Sequence, residues 1–263
     1  MHQWVKKISK EALFVLQFSI DDFKKKYLGS FLGVAWAFLQ PLITIMIYWF
    51  VFQIGFKSTP VGDFPFILWL ISGLIPWFFF SESITAGTSC LMDYEYLVKK
   101  VKFNIDILPS IKIISCFLVQ LFLVVFTIIA FWCFGYAPDL YDFQLLYYAL
   151  YMIVLAQGIT YITAALYVFF RDALQIIAIV LQVVFWMTPM VWAISTMPES
   201  VQNILKYNPF FFVVQGYRKS LISKELFTTD SYIALLYWAI AIAIFFLGRA
   251  LYRKLKPHFA DIM

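Results

Sequence analysis

Charged positions along the 263 residues fall at the ends of long apolar runs and almost never inside them. No charge occurs between Lys26 and Lys57, Asp63 and Glu82, Lys112 and Asp139, Asp142 and Arg171, Asp172 and Glu199, or Asp230 and Arg249. Each gap holds 18 or more uncharged residues, and a membrane-spanning helix needs roughly 20. The pattern predicts six transmembrane helices, at 33–56, 64–84, 110–134, 144–170, 173–195 and 231–252. The alternation of a barrel is missing, and an open sheet in lipid would leave backbone groups without partners. The expected fold is therefore all-α, a single transmembrane domain over 1–263.

Composition points the same way. The chain is 63% hydrophobic and 13% charged, with a mean hydropathy of +0.84. It has too little polar surface to face water all round, so the bilayer is its solvent. The N-terminal MHQWVKKISKEALF lacks a continuous apolar stretch, and no cleavable leader is expected. An even number of spans puts both termini on one side. That side carries 15 of the 20 Lys and Arg residues, which makes it the cytoplasmic one.

Three further segments do not span. In 11–28, Leu13, Leu16, Ile20, Phe23 and Tyr27 fall within about 80° of a helical wheel, the mark of an amphipathic helix in the cytoplasmic interface. Phe14 and Phe18 sit on its polar side, suited either to neighbouring helices or to a cytoplasmic partner. The cytoplasmic stretch 83–109, with 88–104 at its centre, mixes Asp93, Glu95, Lys99, Lys100 and Lys102 with Tyr94 and Tyr96. It reads as a docking helix or as a solvated loop whose lysines set topology. The external stretch 195–231 contains eleven uncharged residues from Tyr207 to Tyr217, too few to span, and reads as re-entrant or interfacial. Asn208-Pro209 inside it is a helix start. Gly29, Gly33 and Ala37, spaced by four, suit close helix approach, and Pro41 is expected to kink the first span.

Candidate chemistry is sparse. The Walker A pattern is missing; its nearest approach, Gly55-Phe56-Lys57-Ser58, lacks the Gly-Lys pair. Cys90, Cys116 and Cys133 have no paired spacing, and His2 and His258 lie at opposite ends, so no metal site is expected. Glu82 is the one acidic residue inside a predicted span, which makes it a functional candidate or a wetted structural group. Aromatic residues make up 21% of the chain. They serve the interfacial belts and packing, or line a channel, where their faces also stack on sugar rings.

Five stretches carry a family resemblance. They are KKKYLGSFLGVAWAFLQPL from Lys24, SGLIPWFFFSES at 72–83, YVFFRDALQIIAIVLQVVFWMTPMVW at 167–192, YNPFFFVVQGYRKSL at 207–221 and the terminal KLKPHFADIM. Together they resemble the membrane subunit of type-2 ABC exporters of bacterial surface polysaccharides, the O-antigen, capsule and teichoic acid permeases. The resemblance implies a homodimer in the bacterial inner membrane, with two separate cytoplasmic ATPase subunits that hold ATP and Mg. The chain itself would carry no cofactor and no catalytic residue. Its partners would be those ATPases, membrane lipids and a polysaccharide on a polyprenyl diphosphate, with no nucleic acid.

The same resemblance distributes roles. Phe14, Phe18, Asp93, Tyr94, Glu95, Tyr96 and Lys99 would meet the ATPases. Lys24, Lys25, Lys26 and Arg171 would receive the lipid diphosphate, or act only as topology anchors. The segment 198–221 would form external gate helices, with Trp36, Trp77, Phe185, Trp186, Asn208, Pro209 and Phe210 at the channel or gate. O-antigen is the expected cargo, with teichoic acid or capsular polysaccharide as alternatives. A drug or lipid exporter, a passive channel, and a membrane enzyme acting on lipid-linked sugars are the competing classes. The enzyme would need an intramembrane acid, base or metal cluster.

Overall fold

The computed structural model describes residues 2–57, 64–99, 103–226 and 231–263, and among them it is all-helical. α1 (His2–Lys26) precedes a turn, a short tight helix at Gly33–Ala35 and α2 (Trp36–Trp49), which widens into a π-helical turn at Phe50–Gly55. α3 (Phe66–Asp93) leads through α4 (Glu95–Val98) to α5 (Leu108–Cys133) and α6 (Gln144–Phe169). α7 (Ala173–Met187), α8 (Glu199–Leu205), α9 (Pro209–Arg218), α10 (Ser231–Leu255) and α11 (Phe259–Ile262) complete the chain.

Five segments are long and apolar enough to cross a membrane: Gly33–Gly55, Phe66–Asp93, Ile105–Cys133, Leu140–Phe169 and Tyr232–His258. α7 is apolar but shorter. α3 is the central helix, its side chains buried nearly all round by α5, α6, α7 and α9. A helix apolar on every side fits only such a position. α10 lies along α6, where Gly158 and Gly248 let the two backbones approach. α5 ends in a left-handed Gly135 (φ +92°), with the Tyr136 amide returning to the Phe131 carbonyl at 3.0 Å. That bond closes a Schellman stop.

Several sequence expectations need correction. The second span does not end at 84; α3 runs on to Asp93. Glu82, inside the predicted span, lies on a helix that continues past it, and the hydroxyls there fold back onto the helix's own carbonyls, Thr85 to Ser81 at 2.8 Å and Thr88 to Ile84 at 2.7 Å. The segment predicted at 173–195 stops at Met187. Thr188 precedes Pro189 and is extended (φ −106°, ψ 130°), as a residue before proline prefers. Gly29 and Gly33 do not bring helices together within the chain, since a Cβ at either would meet nothing within 4 Å. Their φ values of +88° and +52° show that they form the turn between α1 and α2.

α1 also presents its faces differently from the wheel. The side packed on the body carries Phe18, Ser19 and Asp22, while Leu13 and Leu16 of the apolar arc are exposed. The inward face combines the Asp22 bonds with packing by Val15 and Phe18, and only the Leu13–Leu16 end of the apolar arc is exposed, Ile20, Phe23 and Tyr27 being half-buried.

Candidate functional site

Where the ends of α1 and α3 meet the start of α5, a polar clamp joins them. The buried Asp22 carboxylate accepts the Tyr94 hydroxyl at 2.5 Å and the Lys112 ammonium at 2.8 Å. Lys112 reaches Asp93 at 3.0 Å and lies 5.0 Å over the Tyr94 ring. Phe18 packs on the other side of Tyr94, with ring centroids 5.3 Å apart. Burial, with the Asp22 bond behind it, pushes the Tyr94 phenol up, so it stays a donor.

Two of the seven docking candidates, Phe18 and Tyr94, thus face inward, and Asp93 is engaged by Lys112. Phe14, Glu95, Tyr96 and Lys99 lie outward of this clamp. Glu95 and Lys99 form an i,i+4 ion pair, and the bond from Lys99 lowers the Glu95 carboxyl, with Arg171 acting in the same direction. Lys99 also donates to the Met263 carbonyl at 3.1 Å, which fastens the C-terminus beside α4. Lys100 and Lys102 lie outside the described residues.

Next to the clamp opens a cleft of 490 Å³. Its walls carry Lys25, Lys26 and Lys112 against Asp22, Glu82 and Asp93, so the formal charges balance. Lys26 is hydrogen-bonded to Glu82. Burial works against its charge, but the Glu82 carboxylate overrides this and pushes Lys26 up to about 12. Lys25 sits 5.3 Å over the Tyr94 ring, Arg171 5.9 Å over Tyr167, and Lys24 is exposed. The four predicted cations are therefore not one cluster: one is neutralised, and three remain spread along this end of the molecule.

At the other end, the broken α7 is tied to α9. Fifteen residues span only about 22 Å, short of a roughly 30 Å apolar layer, and the chain after Met187 is non-helical. Such backbone is tolerated only inside protein with its polar groups satisfied. Met190 and Val191 are buried, and the buried Arg218 guanidinium donates to the carbonyls of Pro189 at 2.6 Å and Met190 at 3.0 Å. Asn208 caps α9 through the Phe210 amide at 3.0 Å and donates to Thr188 at 2.7 Å.

Trp77, Phe185 and Phe210 form a ring cluster, with Trp77 centroids 5.5 Å and 5.3 Å from the other two. Trp77, Phe185, Asn208, Pro209 and Phe210 are thereby drawn to one junction of α3, α7 and α9. Trp186 leans outward beside Phe185 at 5.2 Å, and Trp36 is exposed on α2, away from this junction. Sequence reasoning missed Asp22, Arg218 and the Trp69 ring that lies 3.6 Å from the Arg218 guanidinium. The one available signal was a charged residue next to an apolar run, as in QGYRK and SIDDF.

Five helices long and apolar enough to cross a membrane, with a sixth that is shorter, define a multi-pass membrane protein. The chain belongs to the ABC-2 type transporter family, which matches residues 16–222. It is 27% identical over 243 residues to an O-antigen export system permease protein, RfbA, of Klebsiella pneumoniae, covering 92% of each chain. The corresponding protein of Myxococcus xanthus is 26% identical over 242 residues, 91% of each. The polysialic acid transport protein KpsM of Escherichia coli is 25% identical over 254 residues, 95% of this chain and 94% of that one.

Proposed function

We propose that this chain is the membrane-spanning subunit of an ATP-driven exporter. It carries a lipid-linked surface polysaccharide, O-antigen foremost, from the cytoplasmic to the external face of the bacterial inner membrane. The observation that supports this reading is the likeness to O-antigen export permeases over more than nine-tenths of both chains. Hydrolysis falls to a separate cytoplasmic ATPase, which holds the ATP and Mg and docks on the outward side chains of α1 and α4.

Two copies of the chain pair in this reading, with both termini cytoplasmic. The faces carrying Ile43, Met46 and Ile47 on α2, and Ile179, Val183 and Trp186 on α7, are exposed in the single chain and supply the walls between copies. The diphosphate head of a polyprenyl carrier meets Lys24, Lys25 and Arg171 at the rim. Force applied to α4 passes through Tyr94 and Asp22 to α1, and through Lys112 to α5. The helices 198–221 close the external end. A capsular cargo is the second reading, favoured by the likeness to the polysialic acid transport protein.

The test has two arms. The tagged chain is purified in mild detergent, and an ATPase is expected at equal stoichiometry. Its retention should fall in the double variant Glu95→Lys/Lys99→Glu, which keeps the i,i+4 pair but inverts its polarity. In cells lacking the chain, surface polysaccharide should vanish while lipid-linked chains collect on the cytoplasmic side. Recovery of the chain alone, with surface polysaccharide unchanged, would sink the reading.

A further inference from the structure

Two cavities meet at the Lys26–Glu82 pair. On one side lies the 490 Å³ cleft beside the Asp22 clamp. On the other, α2, α3 and α5 wall a cavity of 210 Å³. Among the described residues four line both: Lys26, Glu82, Ser115 and Cys116. These four are the partition between the two spaces.

The partition has a fixed half and a movable half. Ser115 and Cys116 are buried on α5. The Lys26 and Glu82 side chains are 48% and 47% exposed, and an ion pair wetted to that extent is weak. The Lys112–Asp22 pair of the clamp differs, with side chains 13% and 8% exposed. That clamp holds α1 one turn before Lys26, so the Lys26–Glu82 pair parts by rotation of two side chains while the helices stay in place. Exposed side chains change rotamer in picoseconds to nanoseconds. Lys26 also has a second partner at hand: its ammonium stands 5.6 Å from the centroid of the Tyr27 ring, within cation–π reach.

Both spaces suit water. Gln40, Thr44, Ser81 and Ser115 bring polar side chains to the inner wall. At about 30 Å³ per water, that cavity takes about seven waters. The cleft is lined by six charged side chains. A wet interior in a membrane-spanning bundle is a leak unless something divides it.

We propose that Lys26 and Glu82 form a side-chain gate. Paired, they shut the inner cavity off from the cleft. Parted, they join the two and admit water and small hydrophilic solutes to the interior of the bundle. The gate requires neither the cargo nor the ATPase of the export reading, and its test reads side-chain reactivity, not transport.

The native cysteines are the probe. Cys133 is exposed, Cys90 is fully buried, and Cys116 stands on the partition. The full chain in phosphatidylcholine nanodiscs is treated with iodoacetamide at fixed pH, and alkylation of each cysteine is followed by peptide mass spectrometry. Cys133 should react fast and Cys90 not at all. Cys116 should react slowly, at a rate set by the fraction of time the pair is apart. Glu82→Gln and Lys26→Met should each speed Cys116 about fivefold, the worth of one half-exposed pair. The two variants move the ionisation of a nearby thiol in opposite directions, so an increase in both reports access and not thiolate content. The swap Lys26→Glu/Glu82→Lys should return the rate to within about twofold of the parent. Salt at about 1 M, which shortens the screening length to about 3 Å, should speed Cys116 in the parent and not in Lys26→Met. Iodoacetamide is neutral, so salt acts on the pair and not on the reagent. A parent Cys116 as fast as Cys133, or one that neither the single variants nor salt accelerate, overturns the gate. A rise at Cys90 equal to that at Cys116 also overturns it, since the whole fold would then have loosened.

Discussion

The Arg218 guanidinium carbon lies over the Trp69 indole, 3.6 Å from the ring centroid, while the two terminal nitrogens hold the carbonyls of Pro189 and Met190. One side chain thus stabilises the break after α7 and seats α9 on α3. Gly73 makes room for it, since a Cβ there would stand 3.2 Å from the guanidinium. Lysine cannot stack and fork at once. Arg218→Lys should therefore cost about 2–4 kcal/mol, from the lost ring contact and an unsatisfied carbonyl. Thermal unfolding in nanodiscs would check this; an unchanged melting temperature would refute the bridging role.

The Asp22 clamp makes a prediction of opposite signs. Lys112→Met leaves buried Asp22 short of its cation and should cost about 3–5 kcal/mol. Adding Asp22→Asn removes the stranded charge and should restore a good part of that. Tyr94→Phe should cost about 1 kcal/mol. A double-mutant cycle measures the coupling, and strict additivity would deny that the clamp acts as a unit.

The α6–α10 crossing rests on absent side chains. A Cβ on Gly158 would stand 2.6 Å from the Phe245 amide nitrogen, and one on Gly248 2.2 Å from the Gly158 carbonyl oxygen. Either alanine must push backbones apart, at about 1–3 kcal/mol. Gly55→Ala, with nothing within 4 Å, should cost none of that. Melting temperatures of the three variants decide it.

Lys26 carries a pH signature. Its pKa is raised from 10.5 to about 12, so the folded state holds the proton more tightly than the unfolded chain. The stabilisation is complete below about pH 10 and is lost as pH rises through about 12. The melting-temperature gap between the parent and Lys26→Met should stay constant from about pH 7 to about pH 10, then close. A gap that widens at high pH would reverse the assignment.

Some of this was legible in the residues and some was not. Runs without charge locate the apolar helices because each ion in lipid is expensive, and that rule holds wherever an ion lacks a partner. It failed at Glu82, where Lys26 supplies one from 56 positions away. The helical wheel found the apolar arc of α1 but not its buried polar anchor, because Asp22 finds partners 72 and 90 positions away, at Tyr94 and Lys112. Of the predicted gate residues, Trp77, Phe185 and Phe210 meet, while Trp36 does not, since adjacency across helices is set by packing angle and not by residue type.

The sequence by itself determined that this chain lives in a bilayer, that it is built of helices, and where most of them run. Those outcomes depend on local hydrophobicity and on each helix satisfying its own backbone. Only the tertiary structure decided which ions are neutralised, where α7 breaks, and which carbonyls Arg218 rescues. Each of these is a contact between residues far apart in the chain, and its energy depends on distance and burial that no local pattern records.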